Sequence, residues 1–160
     1  MVGSLALPEL SLTKNPPVGY YFQVTFFAGG VIPNPLDIRF QKVSGITATV
    51  DTETLNEGGE NLCTYHLPKG ITYENLKLER GMVIGSPLNI EFNAAMSLFQ
   101  FAPSNVMVSL LSEKSLPIAN WLFLKAFPVK WAVSDLDATA NAIVVDTMEL
   151  AFTRFQILRI

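Results

Sequence analysis

Two long stretches in the last third of the chain, Ile118 to Val133 and Ala140 to Phe155, alternate their side chains with a period of two. Only Ser134-Asp135-Leu136-Asp137-Ala138-Thr139 separates them. In the first, Trp121, Phe123, Lys125 and Phe127 alternate with Leu122, Leu124 and Ala126 until Pro128 breaks the register. In the second, Val144, Met148, Leu150 and Phe152 share one face, and Val145, Thr147, Glu149, Ala151 and Thr153 the other. A period of two is the period of a strand and not of a helix. The chain is therefore expected to be built on a sheet.

The preceding residues supply more strands. Tyr20, Phe22, Val24 and Phe26 alternate with Tyr21, Gln23, Thr25 and Phe27 between Gly19 and Phe27, so aromatics lie on both faces. Ala28-Gly29-Gly30-Val31-Ile32-Pro33-Asn34-Pro35 reads as a turn, followed by a strand from Asp37 to Val43 that Ser44-Gly45 interrupts. Ile46 to Thr54 is rich in β-branched residues but short of large apolar ones. Asn56-Glu57-Gly58-Gly59-Glu60-Asn61 is a hairpin tip by composition, and Leu62 to Leu67 is the return strand, ending at Pro68-Lys69-Gly70. This pair reads as an arm that leaves the body. A short strand from Tyr73 to Arg80 follows, then one helix with Ser86 as N-cap, Pro87 at its first position and a stripe of Leu88, Phe92, Ala95, Met96 and Phe99. Val106, Val108 and Leu110 alternate with Met107, Ser109 and Leu111 in another strand, closed by a turn at Ser112-Glu113-Lys114-Ser115. Seven or so strands with one helix point to a mainly β fold: an antiparallel β-sandwich or barrel, one packed α-helix and an extended hairpin arm. With no linker, repeat or low-complexity tract, residues 1–160 read as one domain, residues 1–18 forming an extended Pro-bearing tail.

Composition narrows the function. Charged residues make up 16% of the chain, against about 25% in an ordinary soluble domain. Mean hydropathy is +0.33, yet no apolar run approaches the roughly 20 residues of a spanning helix, so no membrane insertion is expected. The apolar excess is expected to be covered by other subunits. A net charge of −3 gives no basic footprint for nucleic acid. The first ten residues lack a basic n-region and a cleavage site, which fits cytoplasmic synthesis.

Catalytic chemistry finds no support. Cys63 and His66 are each the single residue of their kind, three apart in a strand and so on opposite faces. Asp135 and Asp137 read as turn formers, Gly58-Gly59 has no phosphate-loop context, and Ser44-Gly45 is no nucleophile elbow. No catalytic, cofactor or metal site is expected, and the chain reads as a non-enzyme. A carbohydrate- or lipid-binding β-sandwich using Trp121, Trp131 and the Tyr20-Tyr21 edge is the alternative.

In order along the chain, Val43-Ser44-Gly45, Asn56 to Asn61, Leu67-Pro68, Leu76-Lys77-Leu78-Glu79-Arg80-Gly81, Trp121 with Phe127-Pro128-Val129-Lys130, and Met148-Glu149-Leu150-Ala151 resemble the tail-tube protein family of contractile phages and extracellular contractile injection systems. The similarity runs from about Gly19 to Phe155. Met82-Val83-Ile84-Gly85-Ser86-Pro87-Leu88 departs from it, where the family tends to carry a more polar helix with a Trp. The resemblance implies homo-hexameric rings stacked into a hollow tube inside a sheath. It implies a sheath protein, baseplate or tube-initiator proteins and luminal cargo as partners, in a phage tail or an extracellular tail-like particle. On this reading Thr47, Thr49, Asp51, Glu53, Leu55, Glu57, Gly58, Gly59 and Glu60 make the contact between rings, with the N-terminal tail assisting. Tyr21, Phe27, Val145 and Glu149 make the contact within a ring.

Overall fold

The computed structural model describes residues 21–28, 32–33, 40–56, 58–59, 62–139 and 141–159. The tail at 1–18, Glu57, Glu60 and most of the expected strand at 37–43 lie outside them. The described elements run β1 (Phe22–Ala28), β2 (Ile32–Pro33), β3 (Lys42–Ser44), β4 (Ala48–Leu55), β5 (Tyr65–Tyr73), β6 (Leu76–Gly81), α1 (Pro87–Leu98), β7 (Ser104–Leu111), β8 (Pro117–Val133), β9 (Val145–Ala151) and β10 (Arg154–Arg159). Among the described residues every pairing is antiparallel.

The body follows the order β2-β1-β7-β8-β9-β6-β3, with β10 also on β8 and with ends at β2 and β3 among the described residues. Strand β8 joins its two halves. Its first part pairs with β7 and β10, and Phe127 to Val133 pair with β9. Between them Lys125 takes a left-handed φ of 54°, and its N–H donates to Asn105 Oδ1 at 3.1 Å. That corner folds one half over the other. Val24, Phe26, Val106 and Val108 from one half thus meet Leu76, Leu78, Met148 and Leu150 from the other around Phe123, all buried. Burying each such side chain contributes about 1.5–3 kcal/mol.

The corner also corrects the expected single strand from Ala140 to Phe155. It is two strands, β9 and β10, with Phe152 and Thr153 between them where the partner turns; Thr153 N still donates to Leu124 O at 3.0 Å. Similarly, the expected strand from Tyr73 to Arg80 is divided, Tyr73 closing β5 and Leu76 opening β6. The register break near Pro128 is observed as a shift between Pro128 and Lys130 against β9. The helix packs Leu88, Phe92 and Ala95 inward. Met96 and Phe99, counted in the same stripe by spacing, are exposed: Met96 sits on α1 beyond the buried stripe, and Phe99 lies past the end of α1 at Leu98, turned left-handed at φ 53°. Ser86 stands at the N-cap position, but its hydroxyl makes no capping bond; it accepts from Arg80 Nη2 at 2.8 Å instead.

Candidate assembly surfaces

The arm is a separate two-stranded sheet, β4 with β5. Every residue of β4 is exposed, as is all of β5 up to Thr72. Its return strand begins at Tyr65, leaving Cys63 before the strand and exposed, and it continues through Pro68 to Tyr73. Pro68-Lys69-Gly70 is therefore no strand end. Asp51 pairs with Gly70 and Thr52 with Pro68, so Lys69 is the extra residue of a bulge. Such a bulge accommodates a proline that cannot donate to the ladder.

Register sorts the arm's side chains. Val50 lies opposite Ile71 and Thr54 opposite His66 on one face. Glu53 lies opposite Leu67 and Leu55 opposite Tyr65 on the other. Each face thus carries an exposed apolar pair, one nearer the root and one nearer the tip. A two-stranded ribbon with neither face covered is marginal in water. The Gly58-Gly59 tip is a turn, with Gly59 at φ +107°.

The root is built tightly. Gly45 has φ +85°, and a Cβ there would land on the Asn75 carbonyl oxygen, where the outgoing and returning chains pass. Tyr73 inserts its ring beside Phe152 and Phe155, with centroids 5.6 and 5.5 Å away, and both pack on Phe123. The root belongs to the core while the blade belongs to none.

The four residues assigned to the contact within a ring fall in two places. Tyr21, exposed, directly precedes β1, and Phe27 lies on it, paired with Pro33 of β2 and Asn105 of β7 near one end of the body. Val145 and Glu149 lie on β9, flanked on both sides by β6 and β8. Glu149 is engaged inside its own subunit by Lys77 at 3.9 Å and Lys130 at 3.4 Å.

Sequence spacing did not point to two further features. Beside α1 is a cavity of about 330 Å³ lined largely by Phe26, Leu88, Phe92, Phe101, Ala126 and Leu150. At its mouth Phe99, Phe101 and Phe127 stack edge to face at 5.0 and 5.8 Å. The two tryptophans form no shared platform, since Trp121 and Trp131 line separate hollows. Asp137 behaves as a turn former, its Oδ1 accepting from Thr139 N and Oγ1. Among the described residues no group of three or more His, Cys, Asp or Glu is placed to hold a metal, and no helix is long and apolar enough to cross a membrane.

Residues 18–156 match the model of the T4-like virus tail tube protein gp19 family. A chain in the cryo-EM structure of the anti-feeding prophage baseplate, 6-fold symmetrised, superposes with a TM-score of 0.85 at 36% identity, covering 91% of this chain and 97% of that one. A chain of the anti-feeding prophage tube-terminating cap gives 0.77 at 27%, covering 92% and 93%. A chain of the sheath–tube complex of the PVC extracellular contractile injection system, in its extended state, gives 0.77 at 23%, covering 92% and 95%. No match is found among curated protein sequences. The chain belongs to the T4-like virus tail tube protein gp19 family and is a structural, non-enzymatic tube subunit of contractile phage tails and phage-tail-like injection particles.

Proposed function

We propose that this chain closes into homo-hexameric rings that stack into a hollow tube within a contractile sheath, with the β4–β5 arm as the contact between rings. The observation that carries this is the arm itself: a ribbon exposed on both faces, with an apolar pair on each, rooted in the core by Tyr73. Thr47, Thr49, Asp51, Glu53 and Leu55 with the tip at residues 57–60 make that contact, and covering both faces of the ribbon supplies the apolar burial it lacks alone. Tyr21 and Phe27, near the β2 end of the body, meet the neighbour within a ring. Head-to-tail closure uses two different patches of each subunit, and stacking uses a third. The six-fold baseplate and the sheath–tube complex in which relatives occur support the ring number and the sheath and baseplate partners.

Negative-stain microscopy of the purified chain tests this, with rings or tubes expected and a monodisperse monomer overturning it. Deleting residues 52–61 should leave a folded subunit that forms no tubes; normal tubes from that deletion would remove the arm from the contact. A narrower reading, a ring at the baseplate end of the tube, is favoured by the 36% identity to a baseplate chain against 23% to the sheath–tube chain. Discrete rings that never elongate would mark that case.

A further inference from the structure

The last residues of β6 and β8 and the first of β9 come together at one end of the body. Met82 N donates to Val144 O and Ser134 N to Val145 O, both at 2.9 Å, and Ile143 packs over Gly81. The segments that run on from these strand ends are apolar and uncovered: Ile84 is 96% exposed, Ile143 82% and Leu136 78%, with Met82, Val83 and Val133 exposed beside them. The loop that carries Ile84 is nevertheless tied down. Asn89 Nδ2 on α1 donates to Val83 O at 3.0 Å, and the buried Arg80 donates to both Ser86 Oγ and Asn89 Oδ1. A loop fixed in place while it presents an isoleucine to solvent is pre-organised for a partner.

Resting on the tube reading above, we propose that this end is the seat on which the arm of a second copy, in the next ring, docks. The arm springs from the other end of the same strands. Asn75, whose carbonyl meets Gly45 at the arm's root, precedes Leu76, and β6 then carries the chain about 17 Å to Gly81. Unlike patches at opposite ends of one subunit fit head to tail, and a head-to-tail contact that does not close on itself repeats as an open stack. The arm brings the matching chemistry, with Val50 opposite Ile71 on one face and Leu55 opposite Tyr65 on the other, all exposed. Charge excludes the other kinds of occupant. Residues 81–100 and 133–144 contain no lysine or arginine, so nucleic acid and anionic lipid find no counter-charge there. Asp135 and Asp137 at the seat have the sign of Asp51 and Glu53 on the arm, which leaves apolar burial to hold the two together.

Mixing two kinds of crippled ring tests it. Rings of the subunit lacking residues 52–61 keep the seat, and rings of the double variant Ile84→Asp, Ile143→Asp keep the arm. The double variant should retain the circular dichroism of the wild type and need at least about tenfold more protein to form tubes. Below that concentration neither kind of ring stacks alone, but the two mixed should form pairs of rings that grow no further, counted by negative-stain microscopy. Normal tubes from the double variant would leave this end to a different protein and overturn the proposal. Loss of the rings themselves would place it in the contact within a ring, and a mixture without pairs would mean that the arm docks elsewhere; either result also overturns it. Wild-type chain that forms no tubes defeats the tube reading itself, whereas wild-type tubes with unpaired mixed rings defeat the seat alone.

Discussion

At the scale of single residues, the positions that matter most do so for their backbone or their burial. Gly45 is the clearest, since its left-handed φ and the Asn75 carbonyl beside it both exclude a side chain. Gly45→Ala should cost about 2–4 kcal/mol in urea denaturation of unassembled subunit, more than surface substitutions, which usually stay within about 0.5 kcal/mol. Arg80 is 3% exposed and joins sheet to helix: it donates to Ser86 Oγ and Asn89 Oδ1, both at 2.8 Å, and its guanidinium lies 5.5 Å from the centre of the Phe40 ring. Its cross-strand partner is Asp146, fully buried, and among the described residues no hydrogen-bond donor reaches either carboxylate oxygen. Arg80→Met should cost about 3 kcal/mol, because it leaves that carboxylate buried without the cation across from it. In an Asp146→Asn background the same change should cost at least about 1 kcal/mol less, measured as a double-mutant cycle; strict additivity would show that the two do not interact. Little of this was legible in the sequence. Ser86 and Pro87 marked the start of the helix correctly, yet the serine's hydroxyl was claimed by an arginine six residues earlier, a competition that capping rules do not contain.

Among elements, the alternation of side chains located most strands because burial on a sheet acts every second residue along the chain. It could not locate the interruption at Phe152-Thr153, whose cause is the corner at Lys125 on the facing strand, 28 positions away in sequence. Left-handed φ costs a non-glycine residue about 1–2 kcal/mol, and glycine loses about 0.5–1 kcal/mol by its unfolded-state freedom. Lys125→Gly should therefore be neutral or stabilising by up to about 1 kcal/mol in thermal denaturation; clear destabilisation would mean that the lysine side chain holds the corner. The arm was recognisable because its β-branched strand lacked large apolar residues, but the apolar pair on each face emerged only from the register, with Lys69 bulged. Ile71→Asp on one face and Leu67→Asp on the other should each raise the concentration needed for assembly at least about tenfold, equivalent to 1.4 kcal/mol, with unchanged circular dichroism of the subunit. A residue whose substitution leaves assembly unchanged identifies a face that stays open.

Taken whole, the molecule separates a wet, ion-paired face from apolar surfaces around α1 and the arm. Assembly by apolar burial should persist as salt rises, since screening weakens exposed ion pairs and leaves the hydrophobic term in place. Sedimentation at low salt and at about 1 M, where the screening length falls to about 3 Å, should show a change in assembled fraction of less than about threefold. Dissolution in high salt would assign the main contact to charges such as Asp51 and Glu53. Strand β8 has a mechanical meaning as well. Its 17 residues, a contour of about 56 Å at strand rise, run through the corner from one half of the body to the other. A displacement of one half is passed to the other along covalent bonds, and β7, β9 and β10 hold that strand on either side of the corner by their ladders. The two halves of the body are thereby tied to each other covalently as well as by their shared core, so that neither can shift far without straining the corner at Lys125.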